Sequence, residues 1–395
     1  MTRALAVIDG EHYAPVVRDA LAELPYDFVG AYFAGGSEKV VGGDEYGVPV
    51  MDDFERALDE CDPELVFDLS GEPVLAPEDR LRLASVSLAR GIPYSGADFQ
   101  FDPPVLEPFA RPSLAVIGTG KRVGKTAVTG HVARVLSRER KVVVVAMGRG
   151  GPPEPQVIES SPTVEDLLSL SRAGGHAASD YLETAALAGV PTVGCRRCGS
   201  GMAGGVATSS VLAGADVAVG LEPDLVVFDG SGAAIPPIAA DARILVAHDL
   251  SAGLNLYRVL ISDLVLTMDE GVAREIARAS SVPVLSFDLR LKPATPLDGR
   301  RTAVFTTGAE QVDHLDADVV HISANLARRD VLRDELARID ADVYLVELKA
   351  AAIDVVAEAA LDRGAEVVLA ANEVVAEGLD ERLAELAERI PERVA

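Results

Sequence analysis

An apolar run, Ala115-Val-Ile-Gly118, turns through Thr119-Gly120-Lys121-Arg122-Val123 into Gly124-Lys125-Thr126 and then into helix-forming residues. That order of residue types suits phosphate binding. A buried strand delivers the chain to a tight turn, glycines let backbone N–H groups face the phosphates, and the following helix adds its positive N-terminal end. Lys125 would sit against the β- and γ-phosphates of ATP, the Thr126 hydroxyl would ligate Mg²⁺, and Gly124 would allow a backbone approach that a Cβ blocks. The usual pattern wants glycine five residues before Gly124, where Thr119 stands; Gly118 lies one residue earlier. About a hundred residues downstream, Asp224-Leu-Val-Val-Phe-Asp229-Gly-Ser-Gly232 reads as an apolar strand ending in a carboxylate. Asp229 would hold Mg²⁺, directly or through water, beside Thr126.

Two arginine-bearing segments supply further anion chemistry. The strand Lys141–Met147 ends in Gly148-Arg149-Gly-Gly-Pro-Pro-Glu154-Pro, a rigid turn that sets Arg149 at the carboxyl edge of a sheet. Guanidinium is always charged and grips phosphate through two donors, so Arg149 suits a phosphate better than lysine would. Thr192-Val-Gly-Cys195-Arg196-Arg197-Cys198-Gly-Ser-Gly invites a zinc or redox reading, but no second pair and no nearby histidine completes four ligands. Arg196 and Arg197 followed by glycines suggest an anion cradle, with the cysteines as compact packing residues.

These residues need strands to carry them. From Arg3 to about Arg111 short apolar runs alternate with amphipathic stretches, which implies βαβ units and a parallel sheet. The strands there end at Asp9-Gly10-Glu11-His12, Gly35-Gly36-Ser37 and Ser70-Gly71-Glu72-Pro73, candidate ligand loops at the carboxyl edge. Phe101–Pro112 carries four prolines and reads as a semi-rigid linker or docking strap. After the phosphate loop, strand–helix units continue to Val284–Phe287; a Lys-Pro-Ala-Thr-Pro stretch from about Leu291 marks another boundary, and Arg301–Ala395 again reads βαβαβ. Its end, Leu379–Ile390, has the pattern of an acidic amphipathic helix capping the domain in solvent. The expected fold is α/β: a central P-loop NTPase-type parallel sheet in residues 113–298, flanked by Rossmann-like α/β domains in 1–112 and 299–395.

Composition removes several function classes. With 62 acidic against 36 basic residues the net charge is −26, so nucleic acid and anionic membrane surfaces are repelled except where basic residues converge. No apolar stretch approaches a membrane span, and the N-terminus enters Ala4-Leu-Ala-Val-Ile8 without a cationic flank, so a soluble cytoplasmic protein is expected. Three cysteines make no disulfide framework for 395 residues. A homodimer is the default expectation for such an enzyme.

The loop form Gly-Thr-x-x-x-Val-Gly-Lys-Thr resembles that of dethiobiotin synthetase and related P-loop ligases, which use ATP to activate an acid. Five segments together resemble one family, the cyclic 2,3-diphosphoglycerate synthetases: Asp9-Gly-Glu-His12, Gly118–Thr126, Met147-Gly-Arg-Gly-Gly-Pro-Pro-Glu-Pro155, Gly194-Cys-Arg-Arg-Cys198 and Phe228-Asp-Gly-Ser-Gly-Ala-Ala-Ile-Pro-Pro237. The resemblance extends along most of the chain, least in the linkers. It implies an ATP-dependent ligase that closes an intramolecular phosphoanhydride between the two phosphates of 2,3-diphosphoglycerate, releasing ADP and phosphate. On that reading Lys125, Lys121, Arg149 and Asp229 carry catalysis. Arg149, Arg196 and Arg197 hold the substrate, Lys121 and Arg122 span its phosphates, and Glu11 and His12, with Glu72, face the acceptor side. Two alternatives stay open. Another P-loop ligase or kinase for a small acid would show fewer arginines opposite the nucleotide. A nucleotide-switched binding protein would show a base-reading Asn/Thr-Lys-x-Asp motif, which the chain lacks.

Overall fold

The protein is described from a computed structural model that covers residues 1–36, 46–174, 179–306, 312–326, 328–348 and 353–391. Ser37 of the second glycine turn, Thr307 and the last four residues, 392–395, lie outside the described residues. Three largely parallel sheets succeed one another along the chain, which bears out the α/β expectation.

The first sheet is built from β1 (Arg3–Ile8), α1 (Ala14–Glu23), β2 (Asp27–Phe33), β3 (Val50–Met51), α2 (Phe54–Cys61), β4 (Leu65–Asp68), α3 (Pro77–Ala89), β5 (Tyr94–Gly96) and β6 (Gln100–Phe101). Its order is β3-β2-β1-β4-β5-β6. The order reverses between β1 and β4, so the turns after these two strands diverge and leave a crevice at their carboxyl ends. Both strands are buried, as a continuous apolar run such as Ala4–Ile8 requires.

The proline-rich strap is docked rather than free. Its β7 (Glu107–Pro108) pairs with a strand at Ile238–Ala239, and Phe109 packs edge-on against Phe228 with ring centroids 5.1 Å apart. The central sheet then follows: β8 (Ser113–Gly118), α4 (Lys125–Leu136), β9 (Val142–Gly148), β10 (Gln156–Ile158), α5 (Val164–Arg172), α6 (Asp180–Ala188), β11 (Thr192–Cys198) and β12 (Thr208–Ser209). It continues through α7 (Val211–Gly220), β13 (Leu225–Asp229), β14 (Ile238–Ala239), β15 (Ala242–Ala247), α8 (Asn255–Leu260), β16 (Leu264–Thr267), α9 (Glu270–Ala279) and β17 (Val284–Ser286). The order β10-β11-β9-β13-β8-β15-β16-β17 puts β8 between β13 and β15, with Asp229 opposite Val116. The strand ends bearing Gly118 and Asp229 are therefore neighbours. The first domain leans on this one through α3 against α8, and apolar residues of both share a core.

The third sheet holds β18 (Asp288–Pro293), β19 (Arg301–Phe305), β20 (Asp318–Ser323), α10 (Arg329–Leu336), β21 (Val343–Glu347), α11 (Ile353–Leu361) and β22 (Glu366–Val375), in the order β18-β22-β21-β19-β20. β18 runs antiparallel to β22, so this sheet draws in residues ahead of 299. The last helix, α12 (Leu379–Arg389), departs from the expected solvated cap. Leu379, Leu383, Leu386, Ala387 and Ile390 are buried in one cluster with Val128, Val132 and Leu136 of α4. The helix crosses back and covers the phosphate-loop helix. Its acidic residues stay on the outer face, which is why composition suggested a cap; the 3–4 spacing of its leucines is what buries it.

The crossing is pinned by His131, whose Nε2 lies 2.8 Å from Asp380 Oδ1. Burial of the ring pushes the His131 pKa below its ordinary value, against the upward pull of Asp380. Asp380 is 42% exposed, so water screens it and burial prevails. A histidine with a lowered folded pKa binds fewer protons than its unfolded form, so stability is lost as pH falls through the ordinary histidine range. The melting temperature should therefore drop between about pH 7 and pH 5, more in the wild type than in His131→Gln. Identical pH profiles for the two would refute this assignment.

Candidate active site

The phosphate loop is positioned from three sides. Gly118 faces the carbonyl of Gly232, which would lie 3.2 Å from a Cβ placed there, so a larger residue would push β8 and the turn after β13 apart by a few tenths of an ångström. Gly124 adopts φ +90°, and a Cβ on it would come within 3.1 Å of the Phe287 ring. Thr119, at the place where the usual pattern has glycine, has a structural role. Its N–H donates to Val246 O at 3.1 Å, and its hydroxyl accepts from the His248 N–H at 3.0 Å. The threonine staples the loop to the turn after β15. Gly120 faces open space, and Lys121 and Arg122 are exposed at the loop's tip, Arg122 with φ +61°. Val123 is buried beneath them.

Lys125 opens α4 and turns into the protein, where Nζ donates to Asp229 Oδ1 at 3.0 Å and to the carbonyl of Gly230. Thr129, one turn further along the same face, donates to the same Oδ1 at 2.9 Å. Asp229 is 1% exposed, and its Oδ2 is buried without a hydrogen-bond partner among the described residues. Burial pushes the Asp229 carboxyl up from its ordinary pKa, and the Lys125 ammonium pulls it back down. Such a pair is costly to bury, and its orphaned oxygen is an acceptor left over for a cation or a water. Thr126 is buried beside Lys125 at the helix start.

The turn after β13 is held by arginines. Arg197 donates to Ser231 O at 2.7 Å and Gly199 O at 2.9 Å, and its Nη2 would lie 3.6 Å from a Cβ on Gly232; the Lys121 Cγ would be 3.8 Å from the same point. Arg197 and Lys121 therefore flank one glycine at the mouth of the phosphate loop. Burial and the neighbouring positive charge of Arg149 both depress the Arg197 pKa, so Arg149 belongs to the same region, where it is exposed. Arg196 is on the other side of the strand from Arg197. Successive strand residues point to opposite faces, so Arg196 takes the face that Gly148 and Asp229 share; its backbone N–H donates to Ser210 Oγ and its carbonyl accepts the Ser210 N–H, both at 3.0 Å.

Sequence reasoning missed Arg258, which is 1% exposed on α8. Its guanidinium donates to Ala233 O through Nε at 3.0 Å and Nη2 at 2.7 Å, and to Leu254 O and Asn255 Oδ1. It clamps the 231–234 turn from below and ties it to the helix that packs on the first domain. No local pattern announces a partner lying 25 residues away. Thr129 was legible: it is four residues after Lys125 and must share its face.

The cysteines separate. Cys195 is fully buried, with its sulfur filling the space over Gly214, where a Cβ would come within 2.1 Å of it. Burial pushes its thiol pKa up to about 12. Cys198 is exposed, three strand residues on and so on the opposite face. The pair is neither bonded nor aimed at a common ligand, and the packing expectation fits Cys195 but not Cys198. Alkylation of the native protein should label Cys198 quickly and leave Cys195 and the buried Cys61 unlabelled until unfolding. Rapid labelling of Cys195 in a mass-spectrometric time course would contradict this placement.

In the first domain, Asp9 organises the crevice. It is 1% exposed, its Oδ1 lies 2.7 Å from His12 Nδ1 and accepts the Glu11 N–H, and its Oδ2 accepts the Gly71 N–H at 2.6 Å. Gly36 brings its backbone beside Glu11, whose Oε1 would be 3.3 Å from a Cβ there. All three glycine turns thus meet at the point where the strand order reverses. Beside them Asp68 accepts from Arg80, Ser70 and Tyr94. Among the described residues, no hydrogen bond or ion pair joins His12 to the phosphate loop in this arrangement.

Family models match the chain in three consecutive pieces: the N-terminal domain of cyclic 2,3-diphosphoglycerate synthetase over residues 3–102, its P-loop domain over 113–280 and its C-terminal domain over 293–373. Curated relatives bear the same description. One from Rubrobacter xylanophilus is 46% identical, covering 98% of this chain and 97% of its own. One from Thermococcus kodakarensis is 40% identical over 94% of each chain, and one from Pyrococcus abyssi is 40% identical over 98% of each.

Proposed function

We infer the reaction from one premise: this chain belongs to the cyclic 2,3-diphosphoglycerate synthetase family. It is an ATP-dependent ligase that joins the two phosphates of 2,3-diphosphoglycerate into an internal phosphoanhydride, with release of ADP and phosphate. The structural observation that supports this best is the buried junction of Lys125, Thr129 and Asp229, which fastens the phosphate loop to the neighbouring strand end.

In the proposed path, an oxygen of one substrate phosphate attacks the γ-phosphorus of ATP and ADP leaves. An oxygen of the other substrate phosphate then attacks the substrate phosphorus of that new anhydride, and inorganic phosphate departs as the ring closes. Two transfers occur and no covalent enzyme intermediate is required. Lys125, released from Asp229 by the nucleotide, reaches the β- and γ-phosphates, and the amides of 118–126 receive the remaining oxygens. Lys121, Arg122, Arg149 and Arg197 surround the mouth and neutralise the two substrate phosphates, the main electrostatic task of joining dianions. Asp229 Oδ2 and the Thr126 hydroxyl fit Mg²⁺, because a buried, unpartnered carboxylate oxygen and a hydroxyl at the start of the phosphate-loop helix are hard-cation donors. When bound, Mg²⁺ would neutralise charge on the β- and γ-phosphates. Glu11 and His12 lie on the acceptor side, and closure of domain 1–112 over 113–298 would bring them in and exclude water. Domain 299–395 braces the phosphate-loop helix through α12. Arg196, exposed on the opposite face of β11 from Arg197, adds a weaker, solvent-screened charge.

No helix among the described residues is long and apolar enough to cross a membrane. A cytoplasmic homodimer completes the reading. The test is ATP hydrolysis in the presence and absence of 2,3-diphosphoglycerate: turnover should depend on that acid. Acid-independent turnover would favour a nucleotide switch, and stimulation by another phosphorylated acid alone would move the substrate.

A further inference from the structure

Arg258 is a buried charge that the reaction above does not use. It is 1% exposed on α8, and no carboxylate pairs with it among the described residues. Burial lowers its pKa to about 10, so the guanidinium stays charged at neutral pH, where a lysine in that place would readily give up its proton. An unpaired buried cation is costly, and an apolar side chain of like volume would serve the core better. The reason for the charge lies in the turn it holds.

Three successive carbonyls of the turn after β13 have three different partners. Ser231 O accepts from Arg197 Nη2 at 2.7 Å, Gly232 O abuts Gly118 of the phosphate loop, and Ala233 O accepts from Arg258 through Nε at 3.0 Å and Nη2 at 2.7 Å. The Ala234 N–H closes the turn by donating to Ser231 O at 3.0 Å. Arg258 therefore fixes one end of a tight loop whose other end aims Arg197. Carbonyl oxygens are the negative ends of peptide dipoles, and any that swung toward the phosphates would oppose the arginines gathered there. A guanidinium fork fixes its carbonyl in direction as well as distance, which an ammonium does not. We propose that Arg258 is a positioning residue of the phosphate site: by gripping Ala233 O it sets the Ser231–Ala234 turn so that Arg197 and the phosphate loop meet the bound phosphates together. The inference rests on the phosphate-site reading and deepens it. Arg258 touches neither nucleotide nor acid and acts from behind the turn.

The test is a double-mutant cycle on the full-length protein, made of wild type, Arg258→Met, Arg197→Ala and both together. Each is followed by melting, by affinity for a non-hydrolysable ATP analogue and by steady-state turnover with 2,3-diphosphoglycerate. Arg258→Met should melt close to wild type, because it exchanges an unpaired buried charge for apolar packing, yet lose about ten- to a hundred-fold in kcat/KM, the scale of a displaced site geometry. The double variant should be no worse than Arg197→Ala alone, since both residues act through one turn. Arg258→Lys keeps the length, stands in if the methionine protein does not fold, and should show the same loss. Wild-type kcat/KM in folded Arg258→Met or in Arg258→Lys overturns the proposal. So do fully additive losses, which would put Arg258 outside the path through Arg197. Should wild type not turn over the acid at all, the reaction reading fails, and the same cycle read from analogue affinity still decides the role of Arg258.

Discussion

Lys125→Ala should reduce synthetase turnover by about a hundred- to a thousand-fold, the scale of losing one preorganised charge at a developing anion. It should also destabilise the unliganded protein, an effect a solvent-facing lysine would not have. In the unliganded fold the ammonium is the positive partner of Asp229, a carboxylate that is 1% exposed. Removing one member of a buried pair costs roughly 3–5 kcal/mol, because the other charge stays buried without compensation. Asp229 would then take up a proton on folding. Its folded pKa lies above its unfolded one, so the variant's stability should be highest in acid and be lost as pH rises past the ordinary carboxylate range. Adding Asp229→Asn should restore much of the melting temperature and none of the activity. A Lys125→Ala protein that melts like wild type at pH 7 would show that the buried pair is not formed in solution.

The second large effect separates two adjacent arginines. Arg197→Ala should lower kcat/KM for the phosphorylated acid by about a hundred-fold or more, as expected when a charge-assisted phosphate contact is removed from a partly buried site. Arg196→Ala should stay within about three-fold, since a solvent-exposed charge with no side-chain partner among the described residues contributes little. Arg197 also supports the Ser231 carbonyl, so part of its loss should appear as altered nucleotide affinity. The kinetic ratio of the two variants is the readout. Equal losses would mean that both arginines act as the cradle suggested by the sequence.

Much of this site was written in local patterns. The glycines and Lys125 of the phosphate loop, the strand ending at Asp229 and the βαβ alternation each depend on residues a few positions apart, where hydrophobic period and turn chemistry act. Thr119 was visible as a departure, but its partner, the His248 amide, lies 129 residues away and no spacing reveals it. Arg258 was hidden for the same reason. The Arg196-Arg197 pair was legible in charge but not in direction: alternation separates the two, and only the bond of Arg197 to the Ser231 carbonyl shows which one meets the turn after β13. The course of α12 shows the opposite limit. Its amphipathic face was evident, yet which surface would receive it depended on the third sheet standing against α4. Family resemblance supplied the substrate, which no residue spacing encodes.

The most direct test of the central claim is phosphorus NMR of the purified protein with ATP, Mg²⁺ and 2,3-diphosphoglycerate, run beside Lys125→Ala. The account predicts upfield phosphoanhydride resonances from a cyclic product, accumulating with ADP and inorganic phosphate and missing in the variant. ATP consumption with no such resonances would contradict it.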